Sequence, residues 1–107
     1  MFVQPTIFLR EWKRLGFTDD DLRRMECQLL QNPKIGDVIQ GTGRLRKMRF
    51  SYEHRGKSGS VRVCSVDFEE HERIYLFAVF AKNEQENLSP AECNILKKKI
   101  DQLEKKL

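Results

Sequence analysis

"GTGRLRKMRFSYEHRGKSGSVRVCSVDF", from Gly41 to Phe68, carries the strongest structural signal in the chain, because a glycine-rich loop there gives way to two runs with a period of two. Lys47 and Arg49 alternate with apolar residues, so charged and apolar side chains project from opposite faces of a strand. "EHRGKSGS" is rich in turn-forming residues, and "VRVCSVDF" returns as a second strand. The stretch therefore predicts a β-hairpin with one apolar face and one basic face.

The segments on either side extend this hairpin and add helices. "EEHER" is a second turn, and "IYLFAVFA" after it is apolar on both faces, as expected for a central strand. Upstream, residues 1–4 are expected to form an edge strand, followed by two helices with Thr6 and Thr18 as their N-caps. Downstream, "SPAE" is a strong helix start. The apolar stripes expected to face the core are Ile7, Phe8, Trp12 and Leu15, then Leu22, Met25, Leu29 and Leu30, and finally Leu96, Ile100, Leu103 and Leu107.

The resulting order is strand, two helices, three antiparallel strands and a helix. We therefore predict one α+β domain over residues 1–107, in which an N-terminal strand and an αα-hairpin pack on an antiparallel sheet that is followed by a C-terminal helix. The helices are expected to cover the face that carries Met48 and Phe50, and to leave the face of Lys47 and Arg49 open.

The composition allows a nucleic-acid partner without requiring one. The chain has 107 residues, a net charge of +4 and an isoelectric point near 9.1, but a solvated basic surface with no ligand remains an alternative. Cys27, Cys64 and Cys93 lack the spacing of a zinc site or a disulfide framework, so we expect small apolar core residues and no metal or cofactor. The sequence shows no signal peptide and no membrane-spanning run, which favours the cytoplasm and no membrane partner.

Four cations are placed to share one anion. Lys47 and Arg49 project to the same side of their strand, roughly 7 Å apart by strand rise, which is close to the spacing of successive phosphates on one nucleic-acid strand. Arg62 lies on the neighbouring strand, and Lys82 ends the strand after that. Such a basic sheet face is suited to holding a bent phosphodiester.

Three separated blocks resemble one family of proteins: "NPKIGDVIQGTGRLRKMRF", "RGKSGSVRV" and "FAKNEQENLSPAE". They are similar to the RelE/HigB family of bacterial type II toxins, specifically its HigB-like branch, in the same order and over nearly the whole chain. The resemblance implies a small RelE-like fold and a ribonuclease that enters the ribosomal A site and cuts mRNA there. It also implies a cognate antitoxin, expected to be HigA-like and DNA-binding, which neutralises the toxin and represses the shared operon in complex with it.

The same resemblance assigns roles to the cations. Metal-independent cleavage by the RNA 2′-hydroxyl needs a base, stabilisation of the phosphorane and an acid for the leaving 5′-oxygen. Lys47 is the candidate base, because nearby positive charge favours its neutral form, and Lys82 is a candidate acid or phosphate-orienting group. Arg49 and Arg62 are expected to stabilise the phosphate. The residues expected to contact RNA outside this catalytic set are Arg44, Arg46, Lys57 and Asn83.

Some positions depart from the family pattern or invite another interpretation. Related sequences usually have aromatic residues where this chain has Ser65 and Val66, so we expect a loss of base-stacking surface there. His54 and His71 fall in turns that match no catalytic position of the family, and we expect both to be exposed. Cys64 shares strand parity with the candidate site and is expected to be a bystander.

Two other functions stay open. The related ParE branch inhibits DNA gyrase on the same fold, although the basic residues of the hairpin disfavour this function. A non-catalytic nucleic-acid-binding module would keep the fold and the charge and would cut nothing. Cleavage of translated mRNA separates the ribonuclease from both alternatives.

Overall fold

The computed structural model describes residues 1–51, 60–82 and 87–107. Its elements are β1 (Phe2–Val3), α1 (Thr6–Arg14), α2 (Asp19–Gln31), β2 (Asp37–Val38), β3 (Arg46–Ser51), β4 (Ser60–Phe68), a 3₁₀ turn (Glu69–His71), β5 (Arg73–Ala81) and α3 (Pro90–Lys106). This order confirms the predicted α+β class, with an N-terminal strand and αα-hairpin before the main strands and a helix after them. No helix in the described part of the chain is long and apolar enough to cross a membrane.

The five strands form one sheet in the order β1-β5-β4-β3-β2. Strands β3, β4 and β5 form the antiparallel meander that the alternating pattern predicted, and β2 extends it at one edge. At the other edge β1 pairs with β5 in parallel, through Phe2 and Val3. The long stretch of chain between β1 and β5 permits this parallel pairing, which makes the sheet mixed.

Helices α1 and α2 pack on one face of the sheet around an aromatic core. Phe8, Trp12 and Phe17 stack in succession, with 4.2 Å between the ring centroids of Trp12 and Phe17. Phe50 on β3 contacts the last two of these rings. The indole Nε1 of Trp12 donates a hydrogen bond to the carbonyl oxygen of Thr18 at 3.1 Å, which satisfies the polar atom of this buried ring.

The helix starts follow the local sequence in two of three cases. Thr18 caps α2 and Ser89 caps α3, each in a capping box with an acidic residue three positions later. Helix α1 differs, because its N-cap is Pro5 and no side chain caps it. The N-cap assigned to Thr6 is therefore wrong.

The predicted apolar stripes are buried or half-buried with two exceptions. Phe8 and Leu29 are among the core residues, but Ile7 is 71% exposed and Leu30 is 61% exposed. Each exception adjoins a buried residue in sequence, so it lies just outside the arc of the helix that faces the sheet.

Helix α3 packs on the opposite face of the sheet from α1 and α2. Its Ile100 is fully buried in a second core, with Leu45, Val66 and Phe68 from the sheet. The expectation that all helices cover one face and leave the face of Lys47 and Arg49 open is therefore wrong, because α3 packs on the face to which these two residues project. The reason lies in β5, which is apolar on both faces and needs a covering layer on each side.

A one-residue irregularity in β5 sets which side chains share this second face. Phe77 has no partner on β4, because two successive β4 residues pair with Leu76 and Ala78. Beyond the bulge, Phe80 belongs to the second core and is the Cα partner of Arg62. The bulge thus places an aromatic ring beside the basic end of the face.

Candidate functional site

Arg49 and Arg62 occupy directly opposed positions on β3 and β4. They are Cα partners in the antiparallel register, and such partners have Cβ atoms about 4.5–5.5 Å apart. Lys47 precedes Arg49 by two residues on the same strand and therefore projects to the same face. The structure brings together these three of the four cations proposed for catalysis, which we call the basic triad (Lys47, Arg49 and Arg62).

The two arginines of the triad face each other without a compensating anion in the described structure. Like charges directly opposite each other destabilise a sheet. Arg62 is half-buried, and its Nη1 is buried without a hydrogen-bond partner among the described residues. Leaving a buried donor unpaired costs roughly 1–3 kcal/mol, and more for a charged group. An anion held between Arg49 and Arg62 would supply the acceptor and offset the repulsion.

Lys47 is held by a neutral partner. Its Nζ donates a hydrogen bond to Oδ1 of Asn87 at 3.0 Å, just before the capping box of α3. An amide oxygen orients the ammonium without cancelling its charge, so the charge stays available to a bound anion. Arg49 is exposed beside it.

A groove of about 570 Å³ opens beside Lys47. Strand β2 and the loop after it form one wall, and the start of α3 forms the other. Asp37, the Cα partner of Lys47, lies on the β2 wall, and Asn87 and Asn94 lie on the α3 side. A carboxylate and two neutral amides therefore lie next to the basic triad.

Sequence reasoning missed Asp37 and Asn87. A two-residue strand such as β2 has almost no periodicity, so no pattern marks Asp37 as part of a strand. Asn87 contacts Lys47 across forty positions of sequence, a contact that no local pattern indicates. The one local signal was the strong helix start at Ser89, which places Asn87 just before the N-terminus of α3.

Arg46 and Arg44 are not brought to the triad. Arg46 has the parity of Met48, on the face opposite to Lys47, and its Nη1 donates to the carbonyl oxygen of Gly36 at 2.9 Å. Contact of Arg46 with RNA stays a prediction, and it would compete with this hydrogen bond.

Arg44 joins the loop before β3 to the rest of the fold. Its Nη2 donates to the carbonyl oxygen of Asp67 at 2.8 Å, its Nη1 lies 3.1 Å from a carboxylate oxygen of Glu104, and its guanidinium lies over the ring of Phe68. These contacts give Arg44 a structural role between β4 and α3. Its predicted contact with RNA stays untested.

The remaining predicted residues lie at or beyond the end of the described sheet. Lys82 is exposed and follows Ala81, the Cα partner of Val61, so it lies at the same end of the sheet as Arg62. Lys57 and Asn83 fall outside the described residues. Lys82 is therefore close in register to the triad, and its role stays a prediction.

Of the two histidines, His71 lies in the described part of the chain. His71 is exposed in the 3₁₀ turn between β4 and β5, as predicted, at the end of β4 opposite to Arg62. His54 lies outside the described residues. His71 therefore lies away from the basic triad.

Two expectations about β4 are settled by burial. Cys64 is fully buried, and this burial raises the pKa of its thiol to about 12 although Lys47 acts in the other direction, so Cys64 is no nucleophile. Ser65 is 3% exposed and Val66 is fully buried, so neither position offers a base-stacking surface, and the effect of this loss on RNA recognition stays a prediction. Cys27 is exposed, which contradicts the prediction that all three cysteines are core residues.

This geometry defines a small α+β domain with a basic sheet face. A family model described as the RelE toxin of the RelE/RelB toxin–antitoxin system matches residues 4–106, and the chain therefore belongs to the RelE toxin family. A solved structure of the Escherichia coli toxin RelE, a double arginine-to-alanine mutant in the free state, is similar with a TM-score of 0.59 and 19% identity over 80% of this chain and 86% of that chain. At this identity the likeness shows the shared fold, and the HigB-like branch stays a prediction.

Proposed function

We propose that this chain is the toxin of a type II toxin–antitoxin system and acts as a ribosome-dependent endoribonuclease on mRNA. The observation that carries the proposal is the facing pair Arg49 and Arg62, whose repulsion and unpaired Nη1 call for an anion. A phosphodiester supplies that anion, and Arg49 is exposed on the same face to bind it. Membership of the RelE toxin family supports mRNA as the source of the phosphodiester.

The proposed reaction is attack of a ribose 2′-hydroxyl on the adjacent phosphate, without a metal ion. Arg49 and Arg62 bind the non-bridging oxygens and stabilise the extra charge of the phosphorane. Lys47, oriented by Asn87, adds a third positive charge on the same face. Lys82 at the end of β5 remains the candidate that orients the phosphate or protonates the leaving 5′-oxygen.

The proposed partners are the translating ribosome with its mRNA and a cognate antitoxin. The sequence blocks shared with the HigB-like branch support a HigA-like, DNA-binding antitoxin, and contact with operator DNA would then pass through the toxin–antitoxin complex. The expected compartment is the bacterial cytoplasm, where all these partners occur.

Primer extension on a translated message tests the proposal. Expression of the chain should produce new 5′ ends within codons of the translated message, and the same RNA without ribosomes should stay intact. A message whose start codon is removed is the matched control, because it differs only in translation. DNA damage without mRNA cleavage would indicate a ParE-like gyrase inhibitor, and salt-sensitive RNA binding without either effect would indicate a non-catalytic module.

A further inference from the structure

The groove beside Lys47 contains a carboxylate that the proposed reaction has not used. Among the described residues that line this groove, Asp37 is the one acidic side chain. It lies on β2, directly across from Lys47 on β3. A negative charge weakens the hold of a site on an anion, so its place beside a phosphate-binding face needs a reason.

The backbone of β2 is fixed against β3 at this point. Asp37 and Lys47 are Cα partners, so their side chains leave the sheet on the same side. Arg46 donates a hydrogen bond to the carbonyl oxygen of Gly36 at 2.9 Å. Gly36 has φ +89°, and a Cβ there would overlap the carbonyl oxygen of Lys47, so the two backbones meet directly. Asp37 is thereby placed beside Lys47 by backbone contacts rather than by a flexible loop.

The carboxylate of Asp37 and the ammonium of Lys47 do not pair. Lys47 Nζ turns to the amide of Asn87, where it acts as a donor. Asp37 is exposed, and its carboxylate forms no hydrogen bond or ion pair with another residue in the described part of the chain. Lys47 therefore acts as a hydrogen-bond donor, and the carboxylate of Asp37 offers acceptor oxygens to the groove.

We propose, on the basis of the ribonuclease function above, that Asp37 is the general base of the cleavage. The 2′-hydroxyl proton passes to a carboxylate oxygen of Asp37, the bond from O2′ to phosphorus forms, and the bond from phosphorus to O5′ breaks. The 5′-oxygen takes a proton from a cationic donor, for which Lys82 is the candidate, and Asp37 later releases its proton to water. The products are a 2′,3′-cyclic phosphate and a 5′-hydroxyl.

This assignment gives each neighbouring group a consistent task. Lys47, held by Asn87, stabilises the phosphorane with Arg49 and Arg62, in place of the base role that the sequence favoured. Asp37 lies across from Lys47 on the side of β3 away from Arg62, so it borders the triad at the groove. Neutral amides line the rest of the polar wall and do not compete for the proton.

Single-turnover cleavage on purified ribosomes programmed with mRNA tests the proposal with Asp37→Asn. The amide is isosteric and cannot accept the proton, so the cleavage rate should fall by about 10²–10⁴, the usual contribution of a general base. Affinity for the programmed ribosome should be unchanged or tighter, because a negative charge is removed from the anion site. Asp37→Glu keeps a carboxylate and should recover part of the rate.

Asp101→Asn is the matched control, because Asp101 is exposed on α3 and the net charge changes equally. It should cleave like the wild type. Asp101→Asn should also keep the pH–rate profile of the wild type, and Asp37→Asn should change it.

Other outcomes overturn the assignment. An unchanged or faster rate in Asp37→Asn would mean that the carboxylate only repels RNA. An unchanged rate with new codon preferences would mean that Asp37 reads a base. Loss of ribosome affinity together with rate would assign Asp37 to binding. If the wild type leaves translated mRNA intact, the ribonuclease proposal itself fails, and the role of Asp37 fails with it.

Discussion

Arg62 lies directly across from Arg49 on the neighbouring strand, and its buried Nη1 finds no acceptor in the described structure. The sheet therefore keeps two facing positive charges at its basic end, at a cost in folding free energy. Sites that must bind a charged substrate commonly retain such unfavourable arrangements.

Replacing Arg62 by methionine should separate stability from activity. Arg62→Met removes the repulsion with Arg49 and the unpaired donor while it fills similar volume, so the free energy of unfolding in urea should stay equal or rise by up to about 1 kcal/mol. Cleavage of translated mRNA should fall by about 10²–10³, because the phosphorane loses a donor. Arg23→Met is the control, because Arg23 is exposed and paired with Asp20, and it should leave cleavage unchanged. A destabilised Arg62→Met protein would contradict the argument.

Two glycines offer a second pair of matched changes. Gly36 and Gly43 both have positive φ, at +89° and +85°, but a Cβ at Gly36 would overlap the backbone of Lys47, whereas nothing lies within 4 Å of one at Gly43. Gly43→Ala should cost about 1–2 kcal/mol in free energy of unfolding, from backbone strain alone. Gly36→Ala should cost roughly 1–3 kcal/mol more, because β2 must move away from β3.

Gly36→Ala should also lower the cleavage activity of the candidate site. Displacement of β2 moves Asp37 away from Lys47, so cleavage by the folded fraction of Gly36→Ala should drop, whereas Gly43→Ala should cleave normally. Urea unfolding and single-turnover cleavage on the same preparations measure both effects. Equal losses in free energy of unfolding for Gly36→Ala and Gly43→Ala would mean that the close approach of Gly36 to Lys47 does not affect stability.

The parts of the fold that could be predicted depend on neighbouring residues. Alternation around Lys47 and Arg49 predicted the faces of β3, and β3 and β4 lie close enough in sequence for their pairing to place Arg62 nearby. The starts of α2 and α3 were equally local, because a capping residue bonds to a backbone amide three positions away. The basic triad follows from these short-range rules.

The parts that failed depend on contacts between distant segments. The stripe around Ile100 shows that α3 has an apolar face, but either face of the sheet would bury it, and only the second apolar face of β5 decides between them. Arg44 shows the same limit for charge, because its sequence neighbours give no sign of Glu104 on the far helix. A count of cations therefore overestimates those free to bind RNA.

The capping box of α2 should make stability depend on pH. The backbone N–H of Thr18 donates to the carboxylate of Asp21 at 2.9 Å, and the backbone N–H of Asp21 donates to Thr18 Oγ1 at 3.1 Å. The hydrogen bond from the Thr18 backbone lowers the pKa of Asp21 below its ordinary 3.8, against the opposing effect of partial burial, and Arg24 acts in the same direction as the hydrogen bond.

Because the folded pKa of Asp21 lies below the unfolded value, its ionised carboxylate stabilises the fold above pH 3.8, and this stability is lost as the pH falls through the folded value. Asp21→Asn should therefore lower the free energy of unfolding at pH 7 by roughly 0.5–1 kcal/mol, the size of a capping contact. The difference from wild type should shrink as the pH falls from 3.8 through the folded pKa of Asp21, measured by urea unfolding at each pH. Asp19→Asn, in the same turn but outside the capping box, should show a smaller loss at pH 7. A deficit in Asp21→Asn that stayed constant from pH 7 to pH 3 would show that the carboxylate's charge does not stabilise the helix start.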